Sequence, residues 1–297
     1  MTNKNVQLGG VIPATITPFT EDEKINPNAM ADLMQWNLQQ GVDSFFIGGS
    51  SAECFLLSPE ERKETFSIAA QFRGKACLIA HAGDISTRQA EDFARAAGQL
   101  GYHAVAATPP FYYGFSSEEI CGYYYDLAQA AGKPVIIYNF PGNTGKNFDL
   151  ADPNYIRLLQ SGTILGIKHT NQVVYQLERF KHINPDLIML NGYDETMIAG
   201  LALGADGSIG STFNFMYPHF RKVYNAFHEK RLEEALALQV RANNIMEALC
   251  SVGLIPAIKY VLTTMGIDAG LPRRPFKALT DEEKRTIDSV LENNLVL

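Results

Sequence analysis

Cysteine is scarce in this sequence and scattered through it. Cys54, Cys77, Cys121 and Cys250 are the whole complement. None forms a CxxC pair and none has zinc-finger spacing, which argues against a disulfide scaffold or a cysteine-based zinc module. They read as free thiols in a reducing compartment. Long apolar runs are missing as well: nothing approaches the ~20 residues that span a bilayer. The start, Met1-Thr-Asn-Lys-Asn-Val-Gln7, is polar and carries no apolar signal core. The expected location is therefore cytoplasmic, with no membrane partner. No lysine or arginine block stands out and the formal net charge is −7, which argues against nucleic acid as a partner. Arg273-Arg274, set between prolines, reads as a surface loop contact. No low-complexity segment appears, and no linker rich in Gly, Ser or Pro divides the chain.

What is present is an alternation of short apolar runs and longer amphipathic ones. Strands are expected at Val11–Phe19, Ser44–Gly49, Ala76–Gly83, Ala104–Pro110, Pro134–Phe140, Ile164–His169, Leu187–Tyr193 and Gly207–Thr212. Helical periodicity fills the spaces, for example over Ala29–Gln40, Pro59–Phe72, Thr87–Leu100 and Glu118–Ala131. Ser58, Ser86 and Ser116 stand at helix starts as caps, and Gly41, Gly101, Gly132 and Gly204 stand at helix ends. Eight such units predict an α/β fold with a parallel sheet. The first strand is followed by Thr17-Pro-Phe-Thr20, not a glycine-rich phosphate loop, which favours a closed (β/α)8 TIM barrel over an open dinucleotide-binding sheet. The expected division is a barrel over residues 1–230 and a helical extension over 231–297, within one structural unit. Extension helices are expected near Leu232–Val252, Pro256–Met265 and Asp281–Glu292.

In such a barrel the chemistry collects at the C-terminal ends of the strands. The sixth strand ends in Gly166-Ile-Lys-His-Thr170. Lys168 closes the short apolar run Ile164–Ile167, and Lys259 lies inside Ala257-Ile-Lys-Tyr-Val-Leu262. Lys259 falls in a helix, from which it can snorkel to water. Lys168, on a strand pointing into a barrel, cannot. Desolvation would free its amine for attack on a carbonyl; the alternative is a partly exposed strand-end lysine. Tyr138, ending Pro134-Val-Ile-Ile-Tyr, is either a buried tyrosine with a satisfied hydroxyl or a proton carrier beside that lysine. Gly48-Gly-Ser50-Ser51 is either a plain turn or a carboxylate cradle of amides and hydroxyls. Glu53 reads as a structural acid holding that loop. Asp194 and Glu195 are either a pair favouring a helix dipole or acceptors for sugar hydroxyls. No histidine or third acid accompanies them at ligand spacing, so no metal site is expected.

These motifs together resemble the N-acetylneuraminate lyase and dihydrodipicolinate synthase family of lysine-dependent aldolases. The resemblance runs from Thr15-Ile-Thr-Pro-Phe19 to Arg274-Pro-Phe276. It is carried by Gly48-Gly-Ser-Ser-Ala-Glu53, Ala80-His-Ala-Gly83, Pro110-Phe-Tyr-Tyr113, Tyr138-Asn-Phe-Pro141, Gly166-Ile-Lys-His-Thr170 and Gly207-Ser-Ile-Gly-Ser-Thr212. Asn191-Gly-Tyr-Asp-Glu195 is most similar to the lyase branch. There the resemblance implies contacts of Gly192, Asp194 and Glu195 with the sugar chain, joined by Ser211 and Thr170. In the synthase branch an arginine follows the Tyr-Asn-x-Pro motif. Here Asn143 stands at that place, which counts against a synthase.

The resemblance implies a Schiff-base aldolase that cleaves N-acetylneuraminate reversibly to N-acetylmannosamine and pyruvate, with no cofactor. Lys168 would form the imine, Ser50 and Ser51 would hold the carboxylate, and Tyr138 would take the C4 hydroxyl proton, helped by Ser51. Tyr112 resembles the tyrosine that completes the relay from a neighbouring subunit, so a homotetramer is implied. The alternatives are another pyruvate-dependent aldolase, a synthase-like enzyme of the family, or a non-catalytic barrel that binds pyruvate or a sugar acid. Ala52 stands where the family has glycine and is expected to restrict a backbone that wants positive φ.

Overall fold

A computed structural model of the protein describes residues 8–296; the polar start Met1–Gln7 and Leu297 lie outside the described residues. Eight parallel strands form one sheet: β1 (Gly10–Pro13), β2 (Ser44–Ile47), β3 (Cys77–His81), β4 (Ala104–Ala107), β5 (Val135–Asn139), β6 (Ile164–His169), β7 (Ile188–Asn191) and β8 (Gly207–Gly210). β1 pairs with β8, each strand from β3 on pairs with the one before it, and a parallel bridge from Ala14 to Phe46 closes the seam between β1 and β2. This is the expected TIM barrel. The strands are shorter than the apolar runs that announce them. Residues 15–19, 48–49 and 108–110 leave the ladder and become the loops that carry polar groups.

Alternation along each strand separates two cores. Ile12, Phe46, Ile79, Ala106, Ile136, Tyr138, Leu190 and Ile209 fill the barrel interior. Val11, Phe45, Leu78, Val105, Ile137, Ile167 and Met189 face the helical layer. β6 breaks the alternation once. Val135 pairs with Ile164 while Ile136 pairs with Gly166, so Leu165 is an extra residue on β6. Ile164 and Ile167 face outward and Leu165 faces inward. A bulge of this kind reverses which face every later side chain takes. Without it Lys168 would point at the helices; with it Lys168 lies opposite Tyr138 and Leu190, both interior residues. Gly166 is required here because a Cβ would collide with the Ile188 carbonyl.

The outer helices begin where the serines predict. Ser58 and Ser116 form full capping boxes with Glu61 and Glu119, and Ser86 accepts from the Gln89 amide. Gly132, at φ 58°, ends helix Ser117–Ala131. The C-terminal helices are Leu232–Val252, Leu254–Thr264 and Asp281–Asn294, and the first packs on helix Phe213–His228 and on Asp281–Asn294. Among the described residues no single helix is long and apolar enough to cross a membrane. The first two of these pass only as a pair bent by 114°.

Two sequence expectations fail in this region. Lys259 does not snorkel: it is 1% exposed, pairs with Glu53 at 2.7 Å, and donates to the Leu271 carbonyl at 3.2 Å. Its ammonium ends against Glu53 and the Phe19 ring, so the route to water is closed. Arg273 is not a surface residue either. It chelates the Glu61 carboxylate, and its backbone amide donates to Glu53 Oε2 at 2.8 Å. Arg274 does stay at the surface, against Glu23.

Candidate active site

Lys168 is buried at the C-terminal end of β6, with Nζ 3.9 Å from the centre of the Tyr138 ring and 4.6 Å from that of Phe46. Among the described residues no carboxylate forms an ion pair with it. Burial brings its ammonium down from 10.5 to about 7, and Asp194 and Cys54 only partly oppose that. Near neutral pH a large share of this amine is therefore unprotonated and nucleophilic.

Tyr138 lies across the β5–β6 ladder from Lys168. Its ring stacks on Phe140 at 5.6 Å, and its hydroxyl is 3.4 Å from Ser50 Oγ. The Thr170 hydroxyl leans toward the phenol without completing a hydrogen bond. Burial pushes the phenol up to about 12, with Ser50 pulling the other way, so it holds its proton near neutral pH.

The loop after β2 brings in the serines. Ser50–Ala52 is a 3-10 turn that places Ser50 toward Tyr138, while Ser51 Oγ meets Ser211 Oγ at 2.5 Å, joining the β2 and β8 ends. The hydroxyl beside Tyr138 is thus that of Ser50, not of Ser51. Ala52 does not need positive φ. The left-handed residue is Glu53, at φ 59°, and its carboxylate is held by Lys259 and by the Arg273 amide. The expected restriction at Ala52 is absent, and its carbonyl accepts from Thr17 Oγ1 at 2.9 Å.

On the β7–β8 side, Asp194 is buried and Oδ2 accepts from the Thr212 amide and hydroxyl at 2.9 and 2.6 Å. Burial raises its carboxyl, while Thr212 and the charge of Lys168 draw it back down. One Asp194 oxygen is thus committed to fixing the end of β8. Burial also raises Glu195, whose Oε2 is enclosed and makes no hydrogen bond among the described residues. Gly192 lies against Thr170 so closely that a Cβ would strike the threonine hydroxyl. Helix Leu232–Val252 holds this segment by its backbone: Gln239 donates to the Asp194 carbonyl at 3.0 Å and Asn243 to that of Glu195 at 3.3 Å.

Lys168, Tyr138, Ser50, Ser51, Thr170, Gly192, Asp194, Glu195 and Ser211 therefore gather at one end of the barrel. Tyr112 does not join them. It is 83% exposed on the loop after β4, with φ 76° and its ring edge-on to Tyr113. A cavity of ≈ 320 Å³ opens beside Ser50, with Phe55, Phe111, Phe140, Asn143 and Phe276 among its walls. Gln239, Asn243 and Lys259 were not singled out as site residues in the sequence. For Lys259 a signal existed: Glu53 and Lys259 are both charges embedded in apolar runs, and each needs a partner. Among the described residues no cluster of three or more His, Cys, Asp or Glu could hold a metal ion.

Known proteins share this fold. N-acetylneuraminate lyase of Rhizobium meliloti (strain 1021) is 42% identical over 279 residues, 94% of this chain and 92% of the relative. CdNal from Clostridium difficile, solved in complex with mannosamine, superposes with a TM-score of 0.93 at 32% identity, covering 98% of this chain and 100% of that one. N-acetylneuraminate lyase from Fusobacterium nucleatum gives 0.91 at 32%, covering 97% and 99%. The profile of the Dihydrodipicolinate synthetase family matches residues 7–294. Fold and sequence agree: the chain belongs to the dihydrodipicolinate synthetase family.

Proposed function

We propose that the protein is a class I, lysine-dependent aldolase that cleaves N-acetylneuraminate to N-acetylmannosamine and pyruvate, reversibly. The observation that carries this is the buried amine of Lys168, brought to about 7 and set against the Tyr138 ring. The free amine attacks the C2 ketone of the open-chain sugar acid, and the carbinolamine hydroxyl leaves as water with the proton of Tyr138, giving the protonated imine and a phenolate. Ser50, Ser51 and the amides of their turn receive the carboxylate. The protonated imine places a positive charge beside Tyr138, which favours the phenolate and brings a group at about 12 within reach of proton transfer. Tyr138 takes the C4 hydroxyl proton, the C3–C4 bond breaks into the imine, and N-acetylmannosamine leaves. Protonation and hydrolysis of the enamine release pyruvate and restore Lys168.

Thr170, Gly192, Glu195, Ser211 and the free side of Asp194 line the distal half of the substrate. The unpaired Glu195 oxygen supports a polyol there, because a buried acceptor without a donor is costly unless a ligand supplies one. Tyr112, exposed on the loop after β4, serves the relay of a neighbouring copy in a homotetramer. The cytoplasm, where the four free cysteines stay reduced, is the proposed location.

Borohydride with pyruvate is expected to trap a covalent adduct on Lys168 that Lys168→Ala abolishes. An unmodified wild-type protein would sink the mechanism. Adduct formation without N-acetylmannosamine release would point to another sugar acid.

A further inference from the structure

His81 ends β3 and is fully buried. The reaction described above does not use it. Its ring nitrogens face two different loops. Nδ1 lies 3.1 Å from the Gly48 carbonyl, and the Thr108 amide donates to Nε2 at 3.4 Å. Gly48 opens the turn that carries Ser50 and Ser51. Thr108 opens the loop that carries Tyr112. The ring stands edge-on to Tyr138 at 5.7 Å and tilted to Phe46 at 6.1 Å, directly behind the reacting groups.

Arg62 Nη2 also lies 3.5 Å from Nδ1, but it donates to the His81 carbonyl at 2.9 Å, and the shorter Gly48 contact at 3.1 Å together with the Thr108 contact selects one tautomer. A carbonyl oxygen accepts, so Nδ1 carries the hydrogen; an amide N–H donates, so Nε2 is bare. The opposite tautomer would set lone pair against lone pair at Gly48 and hydrogen against hydrogen at Thr108. The surroundings are built around this ring. Arg62, itself buried and stacked 4.0 Å over Phe93, donates to the His81 carbonyl at 2.9 Å and to that of Gly83 at 3.1 Å. A Cβ on Gly83 would sit 2.7 Å from both Nε2 and the Thr108 amide, so glycine leaves the room the second contact needs. Burial first, then the positive charges of Arg62 and Lys168, hold the imidazole well below its ordinary value.

We propose that His81 is a positioning residue that ties the carboxylate turn, through Gly48, to the Tyr112 loop, through Thr108, and so sets the two loops in register. This rests on the reading of Lys168 as the imine former. Asparagine places an amide donor where Nδ1 stands, and glutamine places an acceptor near Nε2. In borohydride trapping with pyruvate, His81→Asn is expected to keep the half-saturating concentration and lose about tenfold in maximal rate. His81→Gln is expected to keep the rate and raise the half-saturating concentration about tenfold, and His81→Phe to suffer both, each step matching one desolvated hydrogen bond. Equal changes in both constants, no change, or the reverse pattern overturns the proposal. A measurement on the wild-type protein needs no variant to fold: the imidazole ¹⁵N signals of His81 are expected to show Nδ1–H and bare Nε2 at neutral pH. An Nε2–H or doubly protonated ring defeats this proposal and leaves the aldolase reading intact. A wild-type protein with no pyruvate adduct defeats the aldolase reading instead.

Discussion

Lys259 Nζ lies 2.7 Å from Glu53 Oε1, and neither side chain reaches water. The same ammonium sits 3.9 Å over the Phe19 ring. Burial lowers Lys259 to about 8, and Glu53 resists the fall. The pair joins the C-terminal helices to the turn that presents Ser50 and Ser51. Removing one partner strands the other charge in a dry site. Lys259→Met is therefore expected to cost about 3–5 kcal/mol in urea unfolding. Glu53→Gln with Lys259→Met is expected to recover most of that loss. Equal losses in the single and double variants would contradict the pairing.

The free amine of Lys168 sets a pH dependence for imine formation. At pyruvate concentrations well below saturation, the trapping rate is expected to rise with pH through about 7 and to flatten above it. Stopped-flow or quenched borohydride trapping across pH 5.5–9 reads this. A midpoint near 10 would mean an exposed, ordinary lysine.

The same shift links Lys168 to stability. The folded protein releases the lysine proton at about 7, the unfolded chain only at 10.5. Between those values the unfolded chain binds more protons, so stability rises with pH. Below that window the buried charge is a full penalty. Lys168→Met is expected to be more stable than wild type at pH 6, by on the order of 3–5 kcal/mol. The gap should close as pH rises from about 7 to 10.5. Denaturant midpoints for both proteins at three pH values decide this.

Gly192→Ala tests the distal half of the site separately from the imine. The new methyl would force Thr170 away from its place. Cleavage of N-acetylneuraminate is expected to weaken at least about tenfold through KM, while pyruvate trapping on Lys168 stays near wild type. Loss of trapping as well would show that the substitution damages more than the sugar pocket.

The barrel was legible because its strands are short apolar runs bounded by turn residues, a pattern that local sequence carries by itself. Lys168 and Tyr138 stood out because a charge and a phenol ended such runs. What stayed hidden depends on contacts between distant segments. Gln239 and Asn243 look like ordinary polar residues on a helix, yet they hold the carbonyls of Asp194 and Glu195, more than forty residues earlier. Along its own helix Lys259 has snorkelling as its natural outcome, and the partner that holds it inside, Glu53, is distant in sequence. The positive φ expected at Ala52 fell one residue later because Glu53 takes the left-handed place and turns its carboxylate inward.

The extra residue at Leu165 gives β6 a parity. Lys168 faces the reacting groups, and His169 the helices, because the number of steps from the outward-facing Ile164 is odd once the bulge absorbs one. Losing or gaining one residue in this stretch would exchange the two side chains, turning an imidazole into the barrel and the nucleophile out of it. Losing or gaining two would restore them. Tolerance of β6 to changes in length is thus expected to alternate rather than decline smoothly, and a mechanism that rests on one amine also rests on whether a count is odd or even.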